Sequence, residues 1–416
     1  MSMAMSVTSR CSRVGADALR LAADPIGTYR AGSLLLRGCP SLAAWIAGWV
    51  SAEFPLHVVT GHALSAVGAP QIERIASGLA AQQADKVLGN ALRETFGDEY
   101  AAMVRHPITT DTAWRPRSAS LLHATRHRRR YAAQTLDIAY GPGGRYNLLD
   151  IWRHPDLPAG HRSPVLVQVP GGAWSVNDKR GQAYPLMSRM VELGWTCVSI
   201  NYSRSPRNAW PAHIVDVKRA IAWVRDNIAE YGGDPGFIAM TGGSAGAHLS
   251  SLAALTANDP KLQPGFEDAD TTVQAVVPYY GVYDLTNVEH MHQMMQPFLE
   301  QFVMRAKLVD DPGLFESASP IFHVHRDAPP FFVLHGKNDM VVPRSQPAAF
   351  CAALRGAGAN TVSYAELPNA HHAFDVFATV RSQLVAEAVA GFLGIVYGRH
   401  DRSGAGALGV RATPAS

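Results

Sequence analysis

Residues 237–257 read FIAMTGGSAGAHLSSLAALTA: an apolar run of strand length, a glycine-rich turn and an apolar run of helix length. The turn carries a G-x-S-x-G pattern centred on Ser244, in the strand–turn–helix context that this pattern requires. We expect Gly242 and Gly246 to leave room for a tight, strained turn, because a Cβ atom would clash there. The following helix N-terminus adds positive potential for a developing oxyanion. The pattern predicts a nucleophilic serine; the alternative is an N-capping serine in an ordinary turn.

A second glycine-rich turn, residues 170–174, follows the apolar strand candidate 164–169. Acyl transfer needs two or three N–H donors that converge on one oxygen, and loss of one donor typically costs about 3 kcal/mol in the barrier. We therefore predict an oxyanion hole built from the backbone N–H groups of Gly172, Ala173 and Ala245. The alternative for residues 170–174 is a plain strand-to-helix turn.

The loops after two later strand candidates carry a matching acid and base. A serine hydroxyl is a weak nucleophile near neutral pH unless a base takes its proton. Asp339 follows the strand candidate 330–335, and His372 follows the strand candidate 362–367. Sites form at the carboxyl edge of parallel strands, so the chain order Ser244, Asp339, His372 predicts a catalytic triad. The acid would fix the imidazole tautomer and stabilise its protonated form.

Alternatives exist for both the base and the acid. His371 competes with His372, which we favour because Phe374 opens an apolar helical pattern two residues later. Asp375 and Asp284 compete as the acid, but Asp375 is too near the histidine in sequence to come from a separate strand end.

From Tyr131 onward, apolar runs of strand length alternate with helical patterns, which is typical of a mainly parallel sheet covered by helices. The clearest helix spans 211–231, where apolar residues recur at spacings of three and four. We predict an eight-stranded α/β fold with helices on both faces, in which the first two strands pair antiparallel. The strand candidates are 134–140, 146–153, 164–169, 196–202, 237–241, 273–280, 330–335 and 362–367.

The composition pattern divides the chain into three parts. Residues 1–125 are predicted to form a helical N-terminal extension with a poorly ordered start, and residues 126–398 the α/β domain. Within that domain, 284–320 reads as a helical cap insertion. Residues 399–416 are rich in Gly, Ala, Arg and Ser and are predicted to be a disordered tail.

The predicted cap contains a cluster of methionines and phenylalanines, which is typical of an adaptable apolar surface. We predict that Trp174, Met294, Met295 and Phe298 line a substrate pocket. The alternative is that the insertion is an ordinary packed helix. No metal site is predicted, because the H-x-H pairs lack a third ligand at clear spacing, and no nucleotide-binding glycine motif supports a cofactor.

Composition limits the classes of partner. The 416 residues are 47% hydrophobic and 17% charged, so a large core can form, and the formal charge of +3 does not favour nucleic-acid binding. The scattered four cysteines fit a reducing, cytoplasmic location. The start of the chain lacks a secretory signal pattern, and the charge-free stretches 38–52 and 54–72 do not read as spanning helices. Trp45 and Trp49 share one helical face, which suggests a weak membrane-surface contact by the N-terminal helices.

Taken together, these residues resemble the α/β-hydrolase superfamily, and most closely the hormone-sensitive-lipase-like carboxylesterases and the feruloyl-esterase-like enzymes. The long helical extension is similar to that of actinobacterial lipase/esterase proteins. The resemblance covers roughly 131–398 and rests on residues 147–152, 170–174, 201–203, 210–212, 243–246, 319–320, 335–339 and 372–374. The family's oxyanion loop usually begins H-G-G, and here Pro170 replaces the histidine that helps to hold the loop.

The sequence predicts a serine carboxylic-ester hydrolase that acts on small-molecule esters with short-to-medium acyl groups through an acyl-enzyme. An amide hydrolase of the arylformamidase type is an alternative, because the loop of that family also ends like Gly171–Trp174. A second alternative is a ligand-binding member of the fold that has no activity; such proteins typically lose a triad residue, whereas all three are in place here.

Overall fold

One eight-stranded sheet forms the centre of the computed structural model, which describes residues 69–100, 127–132, 135–158, 160–176, 178–286, 295–377 and 379–408. The strand order is β1-β2-β4-β3-β5-β6-β7-β8. β2 pairs antiparallel with β1 and β4, and all the other neighbours pair parallel. All eight predicted strands are present, so the predicted α/β fold is confirmed. The strands are β1 Ile138–Ala139, β2 Leu148–Trp152, β3 Ser163–Val169, β4 Thr196–Ile200, β5 Gly233–Gly243, β6 Ala275–Tyr279, β7 Phe331–Gly336 and β8 Val362–Leu367.

Helices cover both faces of the sheet and bury a core on each side. On one face pack α3 (Ala212–Asn227), α4 (Ala245–Leu255) and α7 (Ser345–Gly356), and on the other pack α1 (Ala69–Phe96), α2 (Tyr184–Glu192) and α8 (Val380–Leu408). The periodic apolar residues predicted for 211–231 form a fully buried stripe on α3, which a 3-10 turn, Ile228–Tyr231, extends. All seven residues of β3 are buried, as expected for a central parallel strand.

Register brings two glycine-rich turns together at the carboxyl edge. In the β3–β5 pairing, Val169 lies opposite Gly242. The loop that leaves β3 therefore starts directly beside the turn that leaves β5. This placement at the edge of a parallel sheet is the usual position of a site in such folds.

The described part of the N-terminal extension packs on the α/β domain. α1 lies against β8 and α8, and it buries Leu88, Leu92 and Phe96. The Phe96 ring lies 5.6 Å from that of Phe392. The Ser363 hydroxyl donates a hydrogen bond of 2.6 Å to Thr95. The predictions for residues 1–68 and 101–126 fall outside the described residues.

The predicted start of a disordered tail at residue 399 is wrong. α8 continues to Leu408, so the first ten residues of the predicted tail are helical. Arg399 and Arg402 both bond the carboxylate of Glu99, at 2.7 and 3.1 Å, and Arg399 also lies over the Phe96 ring. A helix that is already packed extends at low cost, so these contacts outweigh a glycine-rich composition. Among the described residues, one helical span, Val380–Arg402, is long and apolar enough to cross a membrane, but 67% of its apolar 18-residue stretch is buried inside the protein.

The described part of the predicted cap is a short helical segment followed by a separate helix. α5 (Met295–Phe298) continues as a π-helical turn, Leu299–Met304, and α6 (Pro312–Ser317) follows. Leu299 and Val303 are buried, and the Val303 carbonyl accepts a 2.8 Å hydrogen bond from the backbone N–H of Trp210. The segment thus packs on the loop that precedes α3.

Candidate active site

The turn between β5 and α4 holds Ser244 in a strained conformation. Its φ is +54° and its ψ is −117°, a region that residues with a side chain rarely occupy. The backbone N–H of Ser244 donates to the carbonyl of Tyr279 at the end of β6, over 2.9 Å. The serine is the residue directly before α4, at the carboxyl edge of the sheet.

Close backbone packing explains the glycines of this turn. A Cβ atom on Gly242 would lie 2.5 Å from the carbonyl carbon of Gly246. A Cβ atom on Gly246 would overlap the carbonyl oxygen of Val169, and one on Gly171 would overlap that of Gly243. The space predicted for Gly242 and Gly246 is thus confirmed. The same contacts place the start of the loop after β3 directly against the turn that holds Ser244.

A continuous chain of hydrogen bonds joins Asp339, His372 and Ser244. Nε2 of His372 lies 3.0 Å from the Ser244 hydroxyl oxygen, and Nδ1 lies 2.8 Å from Oδ2 of Asp339. An ionised carboxylate only accepts hydrogen bonds, so Nδ1 carries the proton and Nε2 is free to accept one from the serine. This is the arrangement that a general base needs.

Asp339 is held as an anion although its side chain is fully buried. Its Oδ1 accepts 2.8 Å hydrogen bonds from the backbone N–H groups of Val341 and Val342. Burial alone would raise the pKa of Asp339, but the charge and hydrogen bond of His372, with help from Val342, hold it below the ordinary value. His335 also lies close to Asp339, 3.7 Å away, and burial lowers the pKa of this histidine.

The structure separates the predicted triad from its rivals. His371 is buried beside His372, and burial lowers its pKa, but His372 is the residue within hydrogen-bond distance of Ser244. Asp284 accepts hydrogen bonds from the backbone N–H and the hydroxyl of Thr286, at 2.9 and 2.6 Å. It belongs to the start of the cap segment and not to the Ser244 site.

The third rival, Asp375, belongs to a buried pair next to the triad. The Tyr280 hydroxyl donates a hydrogen bond to the Asp375 carboxylate, and the Tyr280 ring lies 4.7 Å from the His372 ring. Burial raises the pKa of Asp375, and the bond from Tyr280 acts in the opposite direction. Sequence reasoning missed Tyr280; its position directly after β6, at the same edge as Ser244, is the signal that could have found it.

The loop after β3, which carries Gly172 and Ala173, leaves the sheet beside the turn that holds Ser244. Ala173 and Trp174 both have a positive φ, of 49° and 56°, and Gly172 has a φ of 111°. The Gly171 N–H donates to Oε1 of Gln182 over 2.7 Å, so it is occupied. Among the described residues, none accepts a hydrogen bond from the N–H of Gly172, Ala173 or Ala245. These three N–H groups, the predicted ones, are available to a ligand oxygen.

The predicted pocket residues have mixed outcomes. Trp174 is 2% exposed, and its indole N–H donates a 3.1 Å hydrogen bond to Nδ1 of His248, so it supports the loop from within. Met295 and Phe298 are half-buried and pack on the core at the cap segment. Met294 lies outside the described residues. Their contact with substrate stays a prediction.

The fold is that of an α/β-hydrolase, and the predicted serine lies at the carboxyl edge of its sheet. The BD-FAE family model matches residues 149–354. The esterase LipQ of Mycobacterium tuberculosis is 66% identical over 99% of each chain. LipM of the same organism, a probable carboxylic ester hydrolase, is 49% identical over 90% of this chain and 91% of its own.

A solved carbohydrate esterase from gut microbiota has the same fold. Its TM-score is 0.53 at 24% identity, and the match covers 63% of this chain and 96% of that one. The identity to LipQ and LipM over at least 90% of the chain shows that it belongs to the α/β-hydrolase esterase family that includes them. It is a carboxylic-ester hydrolase that acts on small-molecule esters.

Proposed function

We propose that Ser244, His372 and Asp339 form the catalytic triad of this esterase. The observation that carries the proposal is the chain of hydrogen bonds at 3.0 and 2.8 Å, from the strained Ser244 to a buried carboxylate. His372 takes the proton of the Ser244 hydroxyl as the oxygen attacks the ester carbonyl carbon. Asp339 keeps the imidazole in the tautomer that can accept this proton and stabilises the imidazolium that forms.

The backbone N–H groups of Gly172, Ala173 and Ala245 would stabilise the tetrahedral oxyanion. Each donor is preorganised by the fold, so no reorganisation is needed when charge develops on the oxygen. His372 then gives its proton to the leaving alcohol oxygen as the C–O bond breaks, which leaves an acyl-Ser244 ester. Water, deprotonated by His372, attacks this ester and releases the carboxylic acid and the free serine hydroxyl.

The proposed substrates are esters with short-to-medium acyl groups. The support is the described cap segment, a short apolar element in which Met295 and Phe298 are half-buried and Leu299 is fully buried. A segment anchored in this way leaves a modest apolar surface for an acyl chain.

A series of p-nitrophenyl esters from acetate to palmitate tests both proposals. We expect the wild type to be most active on short or medium chains and Ser244→Ala to lose turnover by at least about 10⁴-fold. Ser317→Ala is the matched control, because among the described residues the hydroxyl of this exposed serine bonds only within its own helix, to the Leu314 carbonyl. Ester hydrolysis that persists in Ser244→Ala would refute the triad. A maximum at palmitate would refute the chain-length proposal alone.

We also propose a cytoplasmic location with weak membrane-surface contact by the N-terminal helices. The support is the scattered cysteines, of which Cys197 and Cys351 are buried free thiols, and the spacing of Trp45 and Trp49. Fractionation and flotation of the full chain with phosphatidylglycerol vesicles test this. The double variant Trp45→Ala/Trp49→Ala should lose the co-flotation that the wild type shows. A wild type that does not co-float, or a double variant that co-floats as well as the wild type, would refute this contact.

A further inference from the structure

A buried histidine outside the triad, His248, connects the helix after Ser244, the loop after β3 and the segment after α6. His248 is 1% exposed and lies one turn into α4, where its backbone N–H donates to the Ser244 carbonyl over 3.0 Å. Its Nδ1 lies 3.1 Å from the indole nitrogen of Trp174, in the loop after β3. Its Nε2 lies 2.6 Å from the carbonyl oxygen of Ala318, just after α6.

The two partners of His248 require one protonation state. An indole N–H can only donate, so Nδ1 must be the acceptor. A carbonyl oxygen can only accept, so Nε2 must carry the proton and donate to Ala318. The ring is thus a neutral imidazole in a single tautomer. Burial favours this state, because it lowers the pKa of His248 to about 4.

The hydrogen bond between the Trp174 indole and His248 fixes the loop that carries the proposed oxyanion donor Ala173. Trp174 directly follows Ala173, and both residues hold positive φ angles that cost energy for residues with a side chain. The Trp174 carbonyl accepts a 2.8 Å hydrogen bond from the backbone N–H of Ser205, so the residue is fixed at its backbone and at its indole. The indole edge also meets the His248 ring at 5.2 Å, nearly perpendicular.

We propose that His248 is a positioning residue for ester hydrolysis: it anchors the Trp174 indole and thereby holds the Ala173 N–H in line with the oxyanion. The inference rests on the proposed function of the triad and oxyanion donors. It also accounts for a loop that begins with Pro170, because the anchoring side chain comes from the helix after the nucleophile and not from the loop itself. His248 acts through Trp174 and does not touch the reacting atoms.

Two substitutions at the same position separate its two hydrogen bonds. In His248→Asn the amide oxygen takes the place of Nδ1, so the acceptor for Trp174 is kept and the donor to Ala318 is lost. In His248→Gln the amide nitrogen takes the place of Nε2, so the donor to Ala318 is kept and the acceptor for Trp174 is lost. Both variants lose one buried hydrogen bond, so a merely structural role predicts similar losses in both.

The test is steady-state hydrolysis of p-nitrophenyl butyrate by the full chain, with melting temperatures for each variant. We expect His248→Gln to lower kcat by about 10- to 100-fold with KM nearly unchanged, since a displaced oxyanion donor is missed mainly in the transition state. His248→Asn should stay within about threefold of the wild-type kcat, because loop position follows the retained Trp174 bond. Equal kcat losses in the two variants, or losses that follow the melting temperature, would overturn the proposal.

Trp174→Phe provides a second route if a His248 variant does not fold. It removes the indole N–H, keeps an aromatic ring, and should match the kcat loss of His248→Gln; an unchanged kcat would overturn the proposal. Ser244→Ala, assayed in parallel, keeps the two hypotheses distinct. Turnover that does not depend on Ser244 refutes the proposed function, whereas Ser244-dependent turnover with equal variants refutes the role of His248 alone.

Discussion

Replacing Asp339 by Asn tests the orientation of His372, the proposed catalytic base. In the wild type, Oδ1 of Asp339 accepts two backbone N–H groups at 2.8 Å and Oδ2 accepts Nδ1–H of His372 at 2.8 Å. Asn can satisfy the two backbone donors only with its oxygen, so its NH₂ group faces His372. That arrangement forces Nδ1 to accept, which places the proton on Nε2, facing Ser244. The base is then in the wrong tautomer for the first step.

The expected loss follows from this geometry. A triad that is intact in shape but has the wrong tautomer loses about 10⁴-fold in kcat. This corresponds to about 5.4 kcal/mol of transition-state stabilisation, because each tenfold change is about 1.36 kcal/mol. The measurement is kcat for p-nitrophenyl butyrate at pH 7.5, with circular dichroism and thermal melting to show that the fold is kept.

Asp375→Asn is the matched control for a buried carboxylate in the same region. Asp375 accepts its hydrogen bond from the Tyr280 hydroxyl, and the Asn oxygen can still accept it. We expect kcat to fall by less than about tenfold, since the bond to Nδ1 of His372 is untouched. A loss below tenfold in a folded Asp339→Asn protein, or a larger loss in Asp375→Asn, would refute the assignment of the acid.

Two further predictions concern stability. Phe96→Ala should lower the free energy of unfolding by about 3 kcal/mol, because it opens a cavity between α1 and α8; a denaturant midpoint equal to that of the wild type would show that α1 does not contribute to the folded unit. Acid should destabilise the chain well above the range of carboxylate titration, since burial lowers the pKa of His213 to about 3 and of His248 to about 4. Between pH 6.5 and 4 the unfolded chain binds more protons than the folded chain. As the pH falls through this range, each buried histidine therefore lowers the free energy of unfolding by up to about 1.4 kcal/mol per pH unit. Urea unfolding at pH 7.5, 6 and 5 measures this slope. His248→Asn should make it shallower without abolishing it, because burial also lowers the pKa of His335 and His371, and a flat wild-type profile would contradict the prediction.

Much of the fold can be predicted from the sequence because its signals are local. Most of the eight strands contain a short apolar run, and the alternation of these runs with helical periodicity leaves few other architectures. The serine turn is equally local, since Gly242 and Gly246 flank Ser244 at fixed spacing. The end of α8 was not predictable in this way, because the helix is continued by contacts of Arg399 and Arg402 with Glu99, which is 300 residues away from Arg399 in sequence.

The contacts that support the site cannot be predicted from local sequence patterns either, because they also join residues that are far apart in the sequence. Trp174 reads as a pocket residue in the sequence, but in the fold its indole is anchored inward on His248, 74 positions later. Gln182 belongs to no recognisable motif, yet its side chain accepts the hydrogen bond of the Gly171 N–H. The proposed donors in this loop are therefore the N–H groups of Gly172 and Ala173. Such pairings depend on where the loops lie after the sheet has formed.

The sequence by itself determined the α/β architecture and predicted the proposed nucleophile and the order of acid and base along the chain, because strand length, helical period and a glycine turn act on neighbouring residues. The tertiary structure decided which of two adjacent histidines faces Ser244 and which of three carboxylates faces that histidine. It also decided that Asp375 pairs with Tyr280 and that His248 holds Trp174. These choices turn on separations of 3 Å between residues distant in sequence, and only packing of the helices and loops on the sheet sets such separations.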